Sequence, residues 1–538
     1  MFLRLLKHPK FYLLLSILIF MGGSIQMNRP YILMDDAFIS FRYAVNLSHG
    51  QGLVFNPGER VEGYTNFLWT VILAACDRLG FNLITASKVL SALAGVGTLI
   101  VLYLIGKAVF ASRSGNVLLI SLPPLLFASM GSQARYVVSG METLLFTFLI
   151  LLAIYLLLFR KLPWIAGVIF ALGAMTRPEG LLYFVLAGLF LMLERTRIWE
   201  HNPPPGTGFK PRLMQAGKPL ILLGIGFLIL YGPYFLWRYY YYGYLLPNTF
   251  YVKAAGFQWA RLQRGWDILL SLLAEWWLAP ILILSVFSLP SIRNNRVWLL
   301  FIAMLLATCC YFIYIGGDFI VWFGPRFLIP ALPFLLLLCS EGLANVSGLR
   351  WLPIQNKTWF QLGISSILLI IAFWLSWPAR PFGAKVFTLQ MQGWAEMGHW
   401  IANHTNPDIT IATDAAGLIP FYSERYTIDM FGLADTHIAH MDLSQRGLGV
   451  VAHEKYDPEY IMERKPDCIV SSWMDVDGMA SAAGLPEVKT EFENLYELKA
   501  VAKVRNGLPA DGRWVIPTTV YKPSLYRSGY IAGLYCLK

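Results

Sequence analysis

The sequence predicts a polytopic α-helical membrane protein with about eleven transmembrane helices and a C-terminal extracytoplasmic α/β domain. Three observations carry that expectation. Apolar types make up 57% of the 538 residues and charged types only 14%, where a soluble domain carries about a quarter charged residues. Apolar runs of helical length recur through the first 377 residues, and basic residues gather in alternate loops. Composition thereby excludes a disordered, collagenous or disulfide-scaffold chain.

Crossing about 30 Å of hydrocarbon takes roughly 20 apolar helical residues. Spans are expected near 11–27, 86–106, 116–130, 142–159, 162–176, 180–193, 219–237, 268–290, 297–315, 325–342 and 360–377. The first reads as a signal anchor. Phe67–Cys76 is too short to cross and reads as interfacial or re-entrant, and 162–193 reads either as two spans or as one hairpin.

Charge supports this count. With Arg4, Lys7 and Lys10 in the cytoplasm, the loops that follow inside carry Lys107 and Arg113, then Arg160 and Lys161, then Arg195, Arg197, Lys210, Arg212 and Lys218, then Arg293 and Arg296, then Arg350 and Lys357. Only three acids oppose them there, Glu194, Glu200 and Glu341. This is the positive-inside pattern of a multi-pass membrane protein, and it accounts for the net charge of +11 without nucleic acid. The transmembrane part is then 1–377, with 28–85 as the first outer loop. The polar segment 378–538 is a periplasmic domain, with strands at Ile409–Thr413, Tyr426–Met430 and Cys468–Ser471 and a helix at Met391–Asn403. Of six cysteines, only Cys468 and Cys536 are placed to pair there, and no Cys/His metal spacing occurs.

The outward loops hold the chemistry-bearing residues. The first opens Met34-Asp35-Asp36-Ala37-Phe38-Ile39-Ser40-Phe41-Arg42, a helix start in which one aspartate is expected as the cap. The other, at the bilayer boundary, is a candidate catalytic carboxylate. Glu62 and Tyr64 follow, and Glu142 heads a later span, where a helix N-terminus also favours an anion for purely structural reasons. Arg177 and Glu179 lie between short arms and need each other or a polar cavity. Arg238, Asn248 and Lys253 suit a phosphate or a sugar, and Asp318 and Arg326 add an acid and a cation to the same face. The span interiors hold few ionisable groups, Glu275 being the main one. A transporter would place acids at the bilayer midplane. Charge at the interface suits an enzyme acting on a lipid with an exposed polar head.

The run Asp35-Asp36-Ala-Phe-Ile-Ser-Phe-Arg-Tyr-Ala, the stretch Gly52-Leu-Val-Phe-Asn-Pro-Gly-Glu-Arg-Val-Glu-Gly-Tyr-Thr-Asn66, and Gly317-Asp318 followed by Arg326 resemble the polytopic GT-C fold glycosyltransferases. The nearest pattern is in the mycobacterial terminal β-(1→2) arabinofuranosyltransferases and their uncharacterised bacterial relatives. The resemblance continues through Thr413-Asp414-Ala-Ala-Gly-Leu and Ile428-Asp429-Met-Phe-Gly-Leu-Ala-Asp435. It implies transfer of a sugar from a polyprenyl-phosphate donor to a cell-envelope glycan, lipid or protein, with inversion. The catalytic acid of the first outer loop carries over to Asp35 or Asp36, and Glu142 takes the position of a second acid. Asp414, Asp429 and Asp435 are expected either to face the acceptor or to cap and terminate strands. A divalent cation is a candidate cofactor, with Asp36 and Glu142 as its ligands. The alternatives are a lipid-linked sugar transporter or flippase and a non-catalytic envelope assembly protein.

Overall fold

The computed structural model describes residues 8–28, 33–113, 116–196, 209–254, 258–274, 278–318, 325–349, 356–376, 381–442, 453–471, 486–505, 508–509, 515–517 and 530–538. The helices in the membrane part are α1 (Pro9–Met27), α2 (Asp35–Ser48), α3 (Phe67–Arg78), α4 (Leu83–Phe110), α5 (Asn116–Ser129), α6 (Gly131–Val138), α7 (Thr143–Leu158), α8 (Pro163–Thr176), α9 (Gly180–Thr196), α10 (Phe209–Tyr242), α11 (Asn248–Lys253), α12 (Trp259–Leu273), α13 (Ala279–Val286), α14 (Val297–Tyr314), α15 (Leu332–Val346) and α16 (Lys357–Ser376).

Among the described residues, six helices are long and apolar enough to cross a bilayer, or seven if the bent pair α5–α6 is one span, so length and composition alone do not give the expected eleven. Thr143–Leu158 and Pro163–Thr176 are apolar but shorter, about 24 Å and 21 Å long at 1.5 Å per residue. The span expected at 116–130 instead continues to Val138 through a 54° bend, where Met130 is extended. The span expected at 268–290 falls on two elements. Its start belongs to α12, whose Trp259, Trp266 and Leu270 are exposed while Arg261 is buried, and its remainder is the short α13. Glu275, Arg4, Lys7, Arg197, Glu200 and Arg350 lie outside the described residues, and so does the order of residues 319–324 beside Asp318.

Close backbone approach holds the bundle where small residues allow it. A Cβ on Gly167 of α8 would lie 2.1 Å from the Leu223 carbonyl oxygen, and one on Gly226 of α10 would lie 2.0 Å from that of Trp164. Neither position tolerates a side chain.

The α/β domain begins with α17 (Pro381–His404) and continues β1 (Thr410–Thr413), α18 (Leu418–Ser423), β2 (Tyr426–Asp429), α19 (Thr436–His440), α20 (Pro458–Arg464), β3 (Cys468–Ser471), α21 (Pro486–Leu495), β4 (Tyr496–Arg505), β5 (Leu508–Pro509), β6 (Val515–Pro517) and β7 (Tyr530–Leu537). The strand order is β2-β1-β3-β7-β4-β5, with β6 also on β4. β1 runs parallel to β2 and β3, whereas β7 is antiparallel to β3 and β4. Cys468 and Cys536 face each other in the β3–β7 register and form a disulfide. One continuous core joins this domain to the bundle, with Phe38 and Phe41 of α2 in the same cluster as Trp394, Leu418 and Val470. Helix α2 is therefore a core helix. Every residue from Ala37 to Ala44 is buried.

Candidate functional site

The first turn of α2 sends its two aspartates in different directions, because successive helical residues diverge by about 100°. Asp35 makes no cap on its own helix. Its carboxylate accepts hydrogen bonds from the amides of Gly417 (3.0 Å) and Leu418 (2.7 Å), at the start of α18 in the α/β domain. Gly417 is required there, since a Cβ would fall 1.9 Å from the Asp35 carbonyl oxygen. Asp36 faces a cavity of about 150 Å³ that also takes in Lys253, Arg326, Glu142, Arg177 and Glu179, and 35% of its side chain remains open.

These neighbouring carboxyls differ in charge state for a physical reason. Burial raises the pKa of Asp35, and the nearby Asp36 charge adds to that, so it reaches about 7 despite the two amides. Burial also opposes ionisation of Asp36, but Arg326 and Lys253 outweigh it and hold the pKa at about 2. Arg326 donates to Asp36 at 2.7 Å and lies 3.4 Å from Asp318, which is buried behind it. Lys253 makes no hydrogen bond or ion pair with a described residue. Burial and the neighbouring Arg326 both push its pKa down.

Across the cavity, Arg177 lies between two acids, 2.8 Å from Glu142 and 2.5 Å from Glu179. All three are buried, and the guanidinium stacks on Phe327 at 4.6 Å. Glu142 precedes α7, yet its carboxylate does not cap that helix; it accepts from Asn66 at 2.8 Å as well as from Arg177. Asn66 in turn bonds Ser40 of α2 and Thr70 of α3. The Tyr64-Thr65-Asn66 end of the first-loop motif therefore links the two acid-bearing walls.

Other expected site residues serve the frame. Arg42 donates to the carbonyls of Phe55, Pro420 and Arg425 and to Asn56, which joins the first loop to the α/β domain and commits four of its five N–H donors. Glu62 and Arg238 form a buried pair at 2.7 Å. The Asn248 side-chain amide donates to the carbonyls of Gly432, Leu433 and Asp435, drawing Leu433 into the cavity wall. Tyr64 lines the cavity, with its hydroxyl on Tyr242. Asp414 is buried in the α/β domain, away from the cavity lining. Sequence reasoning missed Thr249, Tyr311 and Phe327 as wall residues; an interfacial aromatic and a single threonine in an aromatic-rich loop carry no distinguishing pattern.

The acids expected as cation ligands do not fit that role. Asp36 and Glu142 each face a guanidinium, and no group of three His, Cys, Asp or Glu gathers among the described residues.

Residues 385–517 match the model of a domain of unknown function, DUF8728. Over 247 residues the chain is 30% identical to the terminal beta-(1->2)-arabinofuranosyltransferase of Mycobacterium tuberculosis (strain ATCC 25618 / H37Rv), a match covering 42% of this chain and 36% of the relative. The chain thus spans just over a third of that protein's length. Among solved structures, the crystal structure of ArnT from Cupriavidus metallidurans bound to undecaprenyl phosphate aligns with a TM-score of 0.56 at 14% identity, over 95% of this chain and 98% of the other. The apo form of ArnT aligns at 0.49 and 12% identity, over 95% and 97%. With nearly all of both chains superposed in the first alignment, the architecture of this protein is the ArnT-like GT-C fold, a polytopic helical bundle that carries a small α/β domain.

Proposed function

We propose that the protein is an inverting glycosyltransferase that moves a sugar from a polyprenyl-phosphate donor to a cell-envelope acceptor. The site is read as lying on the periplasmic face of a bacterial inner membrane, with the N-terminus in the cytoplasm. The carrying observation is the pairing, in one cavity, of an open carboxylate, Asp36, with a lysine, Lys253, that makes no ion pair or hydrogen bond with a described residue. Similarity to an arabinofuranosyltransferase and to ArnT with undecaprenyl phosphate supports that reading.

The donor phosphate sits against Lys253 and Arg326. Its arrival draws Arg326 away from Asp36, which raises the basicity of a carboxylate otherwise held near pKa 2. The acceptor hydroxyl oxygen then attacks the anomeric carbon on the face opposite the phosphate. The bond from carbon to phosphate oxygen breaks, polyprenyl phosphate leaves with the electron pair, and the hydroxyl proton passes to Asp36. Lys253 and Arg326 stabilise the charge that builds on the leaving group. Asp35 is assigned a positioning role, because its oxygens are committed to α18.

The test is transfer by purified protein in nanodiscs, given polyprenyl-phosphate sugars and envelope glycan. Asp36→Asn is expected to abolish transfer and Asp35→Asn to retain it. Full transfer by Asp36→Asn overturns the assignment. Transbilayer movement of the lipid-linked sugar with no new glycosidic bond replaces it with the flippase reading.

A further inference from the structure

Thr249 lies in the cavity wall, is 8% exposed, and has a hydroxyl with no hydrogen-bond partner among the described residues. Threonines in helices ordinarily turn the hydroxyl back to the carbonyl four residues earlier. Thr98, Thr147, Thr176, Thr196 and Thr308 all do so, at 2.7–3.0 Å. Thr249 cannot. It is the second residue of α11, so the carbonyl four back, that of Leu245, lies outside the helix and accepts from Arg238 at 2.8 Å.

Nor can the backbone move to find another partner. The Asn248 amide is bonded to the Glu62 carbonyl, and the Asn248 side chain is tied to three carbonyls of the 432–435 loop. Leaving a buried hydroxyl unsatisfied costs about 1–3 kcal/mol. Thr143 shares this state but does not line the cavity. Thr249 therefore combines an unmet hydroxyl, a fixed backbone and a place in the wall.

Its neighbours indicate what would satisfy it. Lys253 follows four residues later on the same face of α11 and lines the same cavity. One helical turn is about 5.4 Å, comparable to the span of a sugar ring. We propose that Thr249 is a specificity-determining residue that hydrogen-bonds one ring hydroxyl of the donor sugar while Lys253 holds the adjoining phosphate. This rests on the transferase reading and extends it to sugar selection. A site built to bond a hydroxyl rejects analogues that lack it far more strongly than an apolar pocket does.

The experiment has a binding arm and a turnover arm, both on the full chain in nanodiscs. The probes are sugar-free undecaprenyl phosphate, a panel of polyprenyl-phosphate pentoses and hexoses, and single-deoxy forms of the tightest binder. Wild type should bind one deoxy form about ten- to a hundredfold more weakly than its parent, the loss expected for one buried hydrogen bond. T249V should lose a similar factor on the parent and no more on that deoxy form. T249S should behave as wild type. Affinity for sugar-free undecaprenyl phosphate should not change. T249V without ligand should unfold at the same or a higher temperature than wild type, which a structural hydroxyl would not allow.

Unchanged parent affinity in T249V overturns the proposal. So does an equal loss on every deoxy form, or a panel in which no sugar binds more tightly than the sugar-free lipid. An equal loss on sugar-free undecaprenyl phosphate also overturns it, by making Thr249 a phosphate contact. Because binding needs no turnover, absent transfer with intact sugar discrimination sinks the transferase reading alone.

Discussion

Asp35 hydrogen-bonds the amide of Leu418 at 2.7 Å, across 383 residues of sequence, and that contact anchors the α/β domain to the first turn of α2. The sign of its pH dependence follows from its raised pKa. A carboxyl that titrates near 7 when folded and near 3.8 when unfolded holds its proton more tightly in the folded state. Its stabilising contribution is full below about pH 4 and is lost as pH rises towards 7. Asp429, raised to about 6 by burial, adds the same trend over a narrower range. Asp35→Asn should therefore make the decline in melting temperature between pH 4 and 7 shallower than in wild type. Asp35→Ala, which loses both amide contacts, should cost about 1–2 kcal/mol at pH 5. A wild-type slope retained in Asp35→Asn counts against this.

The cluster of Glu142, Arg177 and Glu179 predicts strong non-additivity. Arg177→Ala strands two buried carboxylates and should destabilise by about 3–5 kcal/mol. Adding Glu142→Gln and Glu179→Gln to that variant should recover part of the loss, because contacting charges are coupled. Urea unfolding of the single and triple variants reads this directly. A triple variant less stable than Arg177→Ala alone contradicts the account.

Lys253 tests phosphate recognition separately from proton transfer. Lys253→Gln removes one charge-assisted contact worth about 1.5–3 kcal/mol. The expected result is a ten- to hundredfold rise in KM for the lipid donor and a weaker dependence of that KM on salt. Asp36→Asn should instead lower kcat. If both variants act on kcat alone, Lys253 does not hold the donor.

Much of this site was legible because its residues all lie in outward loops, on one face. Asp36, Tyr64, Glu142, Arg177, Glu179, Lys253 and Arg326, all singled out from outward loops, come together around the cavity. The choice between Asp35 and Asp36 was not legible, since it depends on two amides at residues 417 and 418. Backbone donors and acceptors leave no side-chain signature, and for the same reason Arg42 and Asn248 read as ligand-binding residues while they donate to carbonyls. The helix count is a separate matter, since length and composition alone qualify six or seven spans among the described residues. Apolar length cannot distinguish a 14-residue helix packed through Gly167 and Gly226 from an independent span, and it joined the amphipathic α12 to α13 across 275–277.

The disulfide between Cys468 and Cys536 supplies a test of sidedness as well as of stability. It closes a loop with a sequence separation of 68 residues, and loop entropy for that length gives about 4 kcal/mol, an upper figure if the reduced domain keeps structure. Such a bond persists in the periplasm and is kept reduced in the cytoplasm. The other four cysteines, Cys76, Cys309, Cys310 and Cys339, are free. Protein taken from membranes under acid quench, denatured and treated with a maleimide polymer should therefore carry four adducts. After reduction it should carry six, the full cysteine count. Reduction or Cys468→Ala should lower the unfolding temperature, and the Cys468→Ala/Cys536→Ala pair should match the reduced protein. Six adducts before reduction would mean that these thiols face the cytoplasm, and the proposed site would then have no access to a periplasmic acceptor.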